Sequence, residues 1–282
     1  QHIGAYQIES QSNKLTFIDT PGHAAFTEMR ARGSKLTDVV VLVVAADDGV
    51  KPQTIESIKH AKAANVPIVV AINKCDLPEA DPQKIKNQLL EYELIAEDLS
   101  GDTLMVEISA KTKKNLDKLV ESIVLQAEIL DLKTDFDSKA TGIVLESKID
   151  VGRGAVATVV VTSGTIKKGD FFVSGLKWGK VRALINDKGQ NINEAPPSTP
   201  VEILGINGAA KSGDDFIVLD SEKEAKNLSE NRAEETKSGG NPLTFATQDS
   251  AFADKSIDEL NIIVKSDVHG SSEAIKSAIN QI

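Results

Sequence analysis

The sequence predicts an incomplete α/β domain with a doubly wound, mostly parallel sheet, then an all-β barrel, a helical linker and the start of an α/β third domain. Over the first 130 residues, apolar runs of strand length alternate with helical patterns, which is typical of a parallel sheet covered by helices. Between residues 140 and 218 the strands are short and the turns rich in glycine, which favours a barrel. A strand pattern and a helix pattern return near the end of the chain.

The first domain is predicted from continuous apolar runs rich in Val and Ile, which suit strands covered on both faces. The last helix is the clearest, because its apolar residues recur on one stripe and Asn115 stands where an N-cap would. The predicted strands are residues 15–18, 39–45, 66–72 and 104–108, and the predicted helices are residues 24–35, 53–65, 82–92 and 115–130.

The later domains are predicted from changes of pattern. Residues 155–162 and 181–185 are the strongest strands of the barrel, and charged residues 221–237 favour a helix that ends at the glycines of 238–242. Polar sequence up to residue 256 is typical of a linker. Residues 260–264, Gly270 and residues 271–282 predict a strand, a turn and a helix. The predicted domains are residues 1–132, 138–220, 221–257 (the linker) and 258–282.

The composition excludes several classes of protein. Hydrophobic residues make up 40% of the chain and charged residues 26%, which is ordinary for a globular protein and unlike a disordered, collagen-like or coiled-coil chain. A net charge of −10 restricts any contact with RNA to local basic patches. Cys75 stands alone, so no disulfide framework forms within the chain. The longest apolar run, residues 39–46, is too short to cross a bilayer, and no membrane partner is expected.

Three loops that follow predicted strands carry residues suited to a ligand, and ligands of parallel sheets collect at the carboxyl ends of strands. Each motif alone also occurs in ordinary turns and helix caps, but their joint occurrence after buried strands indicates one site at one edge of the sheet. The motifs are Asp19-Thr20-Pro21-Gly22-His23, Asn73-Lys74-Cys75-Asp76 and Ser109-Ala110-Lys111.

The second and third loops match the chemistry of guanine. Asp76 can accept hydrogen bonds from N1–H and the 2-amino group, and adenine offers neither donor. Asn73 is placed to fix the opposite edge of the purine, and the stem of Lys74 can lie along the base. The backbone N–H groups of Ser109 and Ala110 are expected to point toward the 6-oxo oxygen.

The residue types of the first loop are suited to binding the phosphates of a nucleotide. Asp19 is placed to hold the shell of a magnesium ion, and the N–H of Gly22 can meet the γ-phosphate, where a side chain would obstruct the approach. His23 stands where a water molecule can be directed at that phosphate. Thr20, Pro21, Lys111 and Cys75, the last as a small apolar filler, complete the predicted GTP-binding residues.

These motifs resemble those of the translational GTPases, in which the first loop ends in His where many signalling GTPases carry Gln. Longer strings are similar to the bacterial or organellar translation initiation factor two family, and the resemblance extends over essentially the whole chain. The strings are DTPGHAAF at 19–26, VVAADDGV at 43–50, GRGAVAT at 152–158, PVEILG at 200–205 and VKSDVHGSSEAI at 264–275.

The resemblance implies a monomeric GTPase that binds GTP or GDP with magnesium, with Asp19 holding the ion through water and His23 catalytic. It also implies partners: both ribosomal subunits, and initiator formylmethionyl-tRNA captured by C-terminal domains that this chain lacks. GTP hydrolysis would accompany initiator tRNA placement and subunit joining. The implied location is a bacterial cytoplasm, with the matrix of an organelle left open.

The sequence departs from the family in one respect, because no G-x-x-x-x-G-K-[ST] phosphate loop occurs in it. We therefore expect an internal fragment of a larger factor that is inactive as a GTPase by itself, with residues 1–5 as the tail of the first switch. Two alternatives stay open at this point: an elongation-type translational GTPase, and a non-enzymatic ribosome-binding module. Similarly, Lys177, Lys180 and Arg182 around Trp178 either contact ribosomal RNA or form a solvated barrel face.

Overall fold

The computed structural model describes residues 3–10, 13–23, 26–239 and 262–280. The chain divides into two compact units, Gln1–Asp135 and Phe136–Ile282. The bounds of the four segments drawn from the sequence, three domains and a linker, stay a prediction.

The first unit is built around a parallel sheet in the order β3-β4-β5, flanked by helices. The central strand β4 is covered on both faces, and Val69, Val70, Ala71 and Ile72 have no exposed surface. This burial explains why a continuous apolar run predicted the strand. The elements are β1 Gly4–Ser10, β2 Asn13–Asp19, α1 Thr27–Leu36, β3 Val40–Ala45, α2 Pro52–Ala63, β4 Ile68–Asn73, α3 Pro82–Leu90, β5 Met105–Glu107 and α4 Leu116–Ile129.

The strand that carries the first loop does not belong to this sheet. β2 pairs antiparallel with β1, with Gly4 opposite Asp19, and the two form a separate two-stranded ladder among the described residues. The prediction of one sheet edge for all three loops is therefore wrong. Residues 4 and 5 of the predicted switch tail, residues 1–5, are the first two residues of β1. β1 itself was not predicted, because its alternating half-buried side chains, with Tyr6 stacked on Phe17 at 5.7 Å between ring centroids, give no continuous apolar run.

Two helix starts can be compared with the prediction. α1 begins at Thr27 rather than residue 24, and residues 24 and 25 lie outside the described part of the chain. Asn115 occupies the predicted N-cap position of α4, but its side chain makes no capping hydrogen bond to the helix. Its backbone is left-handed, and its Nδ2 donates instead to the carbonyl of Glu107 at 2.8 Å, which joins the helix start to β5.

The second unit contains the predicted barrel, which is confirmed. β10 pairs on one side with β13 and on the other with β9, so that β10-β13-β7-β6-β14-β9 closes into six antiparallel strands around Phe172, Leu184 and Phe216. The two strongest predicted strands are β7 and β10. The strands are β6 Thr141–Asp150, β7 Gly154–Ser163, β8 Ile166–Lys167, β9 Phe171–Ser174, β10 Lys177–Asn186, β11 Asn191–Ile192, β12 Glu194–Ala195, β13 Pro200–Ile206 and β14 Asp215–Leu219.

Two helices follow the barrel strands. The predicted charged helix is α5, Glu222–Gly239, in which Ser229 donates to the carbonyl of Leu176 at 2.8 Å. The last helix is α6, His269–Asn280, which includes Gly270, so the predicted turn at that glycine is wrong. Residues 262–264 form no strand, contrary to the prediction, while residues 260–261 and the predicted linker residues 240–256 lie outside the described part. Among the described helices, none has the length and apolarity that a membrane span requires.

Candidate nucleotide-binding site

The two base loops lie at one edge of the parallel sheet. Asn73 is the last residue of β4 and Ser109 follows β5 closely, and parallel strands bring these ends together. The N–H of Cys75 donates to the carbonyl of Ile108 at 3.1 Å, which joins the second loop to the third.

Asn73 organises both loops through its side-chain oxygen. Its Oδ1 accepts the N–H of Lys74 at 2.7 Å and the N–H of Ala110 at 3.0 Å. The first of these bonds accompanies the left-handed conformation of Lys74, at φ 64°. Because Oδ1 is occupied by two backbone donors, Nδ2 is the group that Asn73 offers to a ligand.

The backbone amides of the third loop differ from expectation. The N–H of Ala110 is used by Asn73, and the N–H of Ser109 donates to the carbonyl of Lys114 at 3.2 Å. In this structure they therefore do not point freely toward a base oxygen. The reason is that the loop satisfies its own donors with neighbouring acceptors, which sequence spacing does not reveal.

The side chain of Ser109 makes a contact that sequence reasoning missed. Buried Ser109 donates from Oγ to Oδ1 of exposed Asp76 at 2.6 Å, and this Oγ in turn accepts the N–H of Thr112 at 3.1 Å. The hydrogen bond holds the pKa of Asp76 below its ordinary value, against a smaller effect of burial and with support from the charge of Lys111. Asp76 is thus a fixed carboxylate that keeps acceptor sites for a ligand.

Lys74 is held by two carboxylates that were not predicted as site residues. Its Nζ lies 2.9 Å from Oδ2 of Asp47 and 3.7 Å from Oδ2 of Asp48. The hydrogen bond raises the pKa of Lys74 and lowers the pKa of Asp47. Both aspartates follow β3, which pairs with β4 in the parallel sheet. Their place after that strand was the signal that could have identified them.

Cys75 lies half-buried against the sheet core, and its Sγ donates to the carbonyl of Ile72 at 3.2 Å. Burial is the main cause that raises the pKa of this thiol. A raised pKa keeps the thiol protonated and unreactive, as a packing role requires. Lys111 is exposed at the edge of the same site.

The first loop lines a cavity of about 420 Å³. Asp19, Thr20 and Gly22 face it together with residues of α1, of β3 and of the first two turns of α2. A Cβ added at Gly22 would meet no atom within 4 Å, so packing does not require glycine there. His23 is exposed, and its ring lies 6.3 Å from the ring of Phe26 between centroids.

Arg30 is a buried residue beside this loop that sequence reasoning did not assign. Its side chain is 6% exposed, and its Nη1 donates to the carbonyls of Pro21 at 2.8 Å and His23 at 2.7 Å. Its Nη2 lies 2.7 Å from Oε1 of Glu56 on α2. Glu56 lies 26 residues from Arg30 in sequence, so a local motif does not reveal this ion pair.

A magnesium ion suits the residues present. Within the described ranges, no group of three His, Cys, Asp or Glu side chains could hold a metal ion. Mg²⁺ is commonly held by one or two carboxylates, with substrate phosphates and water completing the shell. The single exposed carboxylate of Asp19, at the end of β2 and facing the cavity, fits that kind of site.

Family models divide the chain in the same order as the fold. Elongation factor Tu GTP binding domain matches residues 1–128, Elongation factor G domain 2 matches residues 139–219, and Translation-initiation factor 2 matches residues 234–282. Two solved structures share the fold: GDP-bound aIF5B from Aeropyrum pernix, with a TM-score of 0.67 and 24% identity over 84% of this chain and 51% of that one, and translation elongation factor SelB from Methanococcus maripaludis, at 0.61 and 23% over 77% and 49%. The fold is that of the translational GTPases, a G domain followed by a barrel domain 2.

Curated relatives identify a particular family among the translational GTPases. The chain is 94% identical over 282 residues to a translation initiation factor IF-2 of Pelagibacter ubique, and 55% identical over 291 residues to that of Rhizobium etli. It covers 38% and 31% of these proteins, so it spans about a third of their length. The chain belongs to the translation initiation factor 2 family, as the resemblance implied. With the match at 234–282, this favours an initiation factor over the elongation-type alternative.

Replacing Ser109 with Ala is expected to raise the pKa of Asp76 toward its ordinary value, because the hydroxyl that stabilises the carboxylate is lost. A lowered folded pKa adds stability above the unfolded pKa, and this stability is lost as the pH falls through the folded pKa. The variant should therefore lose that pH-dependent stability at neutral pH and differ less from wild type in acid. NMR titration of the Asp76 carboxyl measures the shift.

Ser122→Ala is the matched control, because Ser122 on α4 donates to a backbone carbonyl, that of Lys118, and not to a carboxylate. It should leave the Asp76 titration unchanged. An unaltered Asp76 pKa in Ser109→Ala would show that the Ser109 hydroxyl does not stabilise the carboxylate.

Proposed function

We propose that the protein containing this chain binds GTP and GDP at the loops described above and hydrolyses GTP during translation initiation. Hydrolysis would be coupled to placement of initiator formylmethionyl-tRNA and to joining of the ribosomal subunits. The main support is the Asp76 carboxylate, fixed by Ser109 beside Asn73 and Lys74, in a chain 94% identical to an initiation factor. We further propose a monomer in a bacterial cytoplasm, with tRNA capture in parts of the relatives that this chain does not span.

In this proposal the base is selected by complementary hydrogen bonds. Asp76 accepts N1–H and the 2-amino group of guanine, while Nδ2 of Asn73 donates to N7, an acceptor on the opposite edge. The stem of Lys74 covers the base while Asp47 holds its ammonium. Ser109 and Ala110 act by fixing Asp76 and Asn73. Adenine would leave the Asp76 carboxylate without donors, which is the physical basis of selectivity.

At the other end, Asp19 would hold the magnesium shell through water, with Thr20 and Pro21 shaping the loop. A bound magnesium ion neutralises charge on the phosphate oxygens. The N–H of Gly22 would donate to the γ-phosphate, and the open space beside Gly22 supports this, since neither packing nor a left-handed backbone explains the glycine. Exposed His23 would orient the attacking water.

Replacing Asp76 with Asn in the full-length protein should weaken GTP binding by about 10²-fold or more, because two hydrogen bonds to a charged acceptor are lost. The Asn side chain can donate to the 2-oxo group of xanthine, so binding of xanthosine triphosphate should improve. Competition titrations with both nucleotides measure the change. Asp117→Asn, at an exposed position on α4, should behave as wild type. Unchanged selectivity in Asp76→Asn would remove Asp76 from this role.

Replacing His23 with Ala should slow ribosome-stimulated GTP hydrolysis by ~10²–10⁴-fold, the range for a group that positions or deprotonates water. GTP affinity should change less than the turnover rate, because the role proposed for His23 is to orient the attacking water. His23→Gln, which can still hydrogen-bond a water, should retain more activity than His23→Ala. A wild-type turnover rate in His23→Ala would exclude the catalytic assignment.

The 282-residue chain by itself should bind GTP at least ~10²-fold more weakly than the full-length protein, since it has no phosphate-loop motif to surround the phosphates. Titration of fluorescent GTP onto both proteins, with and without magnesium, measures the difference. Tight, magnesium-dependent binding to the chain alone would contradict the proposal that it is inactive without that loop.

A further inference from the structure

We propose that Arg30 is a positioning residue that sets the direction of the Gly22 N–H and holds the His23 loop for catalysis. The catalytic consequence rests on the function proposed above, whereas the effect on the loop does not. The geometry that points to this role is one buried guanidinium bound to the two carbonyls on either side of Gly22.

The first bond fixes the plane of a peptide group. The carbonyl of Pro21 belongs to the same peptide unit as the N–H of Gly22, and in a planar trans peptide the two point in opposite directions. Arg30 draws this carbonyl toward α1 at 2.8 Å. The N–H of Gly22 is therefore directed away from the Arg30 guanidinium. A Cβ added at Gly22 would meet no atom within 4 Å, so there is open space beside this residue.

The second bond fixes the other end of the turn. The same Nη1 binds the carbonyl of His23 at 2.7 Å, and the N–H of Phe26 donates to that carbonyl at 3.0 Å. The backbone of His23 is thus held by two donors, while the residue itself is exposed. One nitrogen thus restrains both residues to which the proposed chemistry is assigned.

The guanidinium is itself held from two sides. Nη2 lies 2.7 Å from Glu56 Oε1 and 3.2 Å from Thr27 Oγ1. Burial acts to raise the pKa of Glu56, but the hydrogen bonds from Arg30 and Thr27 outweigh it, and the pKa lies below its ordinary value. Oε1 of Glu56 also lies 3.3 Å from Nε2 of His60, so the chain of contacts from Arg30 through Glu56 continues along α2.

Arginine suits this position better than lysine. Its planar fork presents several N–H donors in fixed directions, so it can bind two carbonyls and a carboxylate together. A lysine could keep the ion pair with Glu56 but would hold the loop less rigidly. A buried charge with these partners is also costly to remove, so a purely structural role is the competing explanation.

The test uses the full-length protein with Arg30→Met, Arg30→Lys and a control, Lys35→Met, an exposed position on the same helix. The first readout is hydrogen exchange of residues 19–27 without nucleotide. Arg30→Met should exchange at least ~10-fold faster in this segment while the rest of the unit keeps its protection. The control should match wild type.

The second readout separates kcat from KM for ribosome-stimulated hydrolysis, with His23→Ala as a second background. Arg30→Met should lower kcat with little change in KM, and its fold-loss should be clearly smaller when His23 is already absent, because residues that act through one another are not additive. Equal fold-losses in both backgrounds, with unchanged loop exchange, would overturn the proposal and leave Arg30 a structural residue.

Arg30→Lys keeps the test decisive if Arg30→Met does not fold. It should fold, keep the ion pair and still show faster exchange confined to the loop. If Arg30→Lys keeps the wild-type protection of the loop amides and the wild-type kcat, the planar guanidinium is not required and the proposal is contradicted. If His23→Ala alone leaves turnover unchanged, the proposed catalytic role of His23 fails, while the exchange result still decides whether Arg30 holds the loop.

Discussion

The candidate base site depends on the complete burial of one strand. β4 lies between β3 and β5, and the residues at its centre have no exposed surface, so it cannot slide without exposing apolar side chains to water. Because all three strands are parallel, their carboxyl ends meet at one edge. Asp47 after β3, Asn73 at the end of β4 and Ser109 after β5 are thereby brought together from distant parts of the sequence.

The fold could be predicted where burial leaves a continuous apolar run or a regular helical stripe. β3, β4 and the barrel strands β7 and β10 were predicted for this reason. β1 was not, because its GAYQIES sequence alternates exposed and half-buried residues and is stabilised by pairing with β2. The side-chain capping bond expected from Asn115 was wrong for a similar reason. Its side chain donates to the carbonyl of Glu107 on β5, a partner that the local sequence does not show.

For the candidate site, the sequence pointed to the residues that are proposed to face the ligand and missed the contacts that hold them. Asp76, Asn73 and Gly22 stand in short motifs whose chemistry can be read directly. The Ser109 hydroxyl lies 33 residues from Asp76 in sequence, and Asp47 lies 27 residues from Lys74. The parallel register makes these pairs neighbours. The place of each residue after a strand indicated a shared sheet edge, but the individual contacts could not be predicted from the sequence.

The residues proposed to contact the ligand differ in exposure from the residues that hold the loops. Asp76, Gly22 and His23 are exposed and contribute little to packing, whereas Ser109 and Arg30 are buried and satisfy the loops from inside. A buried donor with defined partners fixes a loop because leaving those partners unsatisfied would cost free energy. The exposed groups can then keep one orientation before a ligand arrives, which lowers the ordering cost of binding. The specificity proposed for the base loops therefore depends as much on a buried hydroxyl as on the carboxylate that would touch the purine.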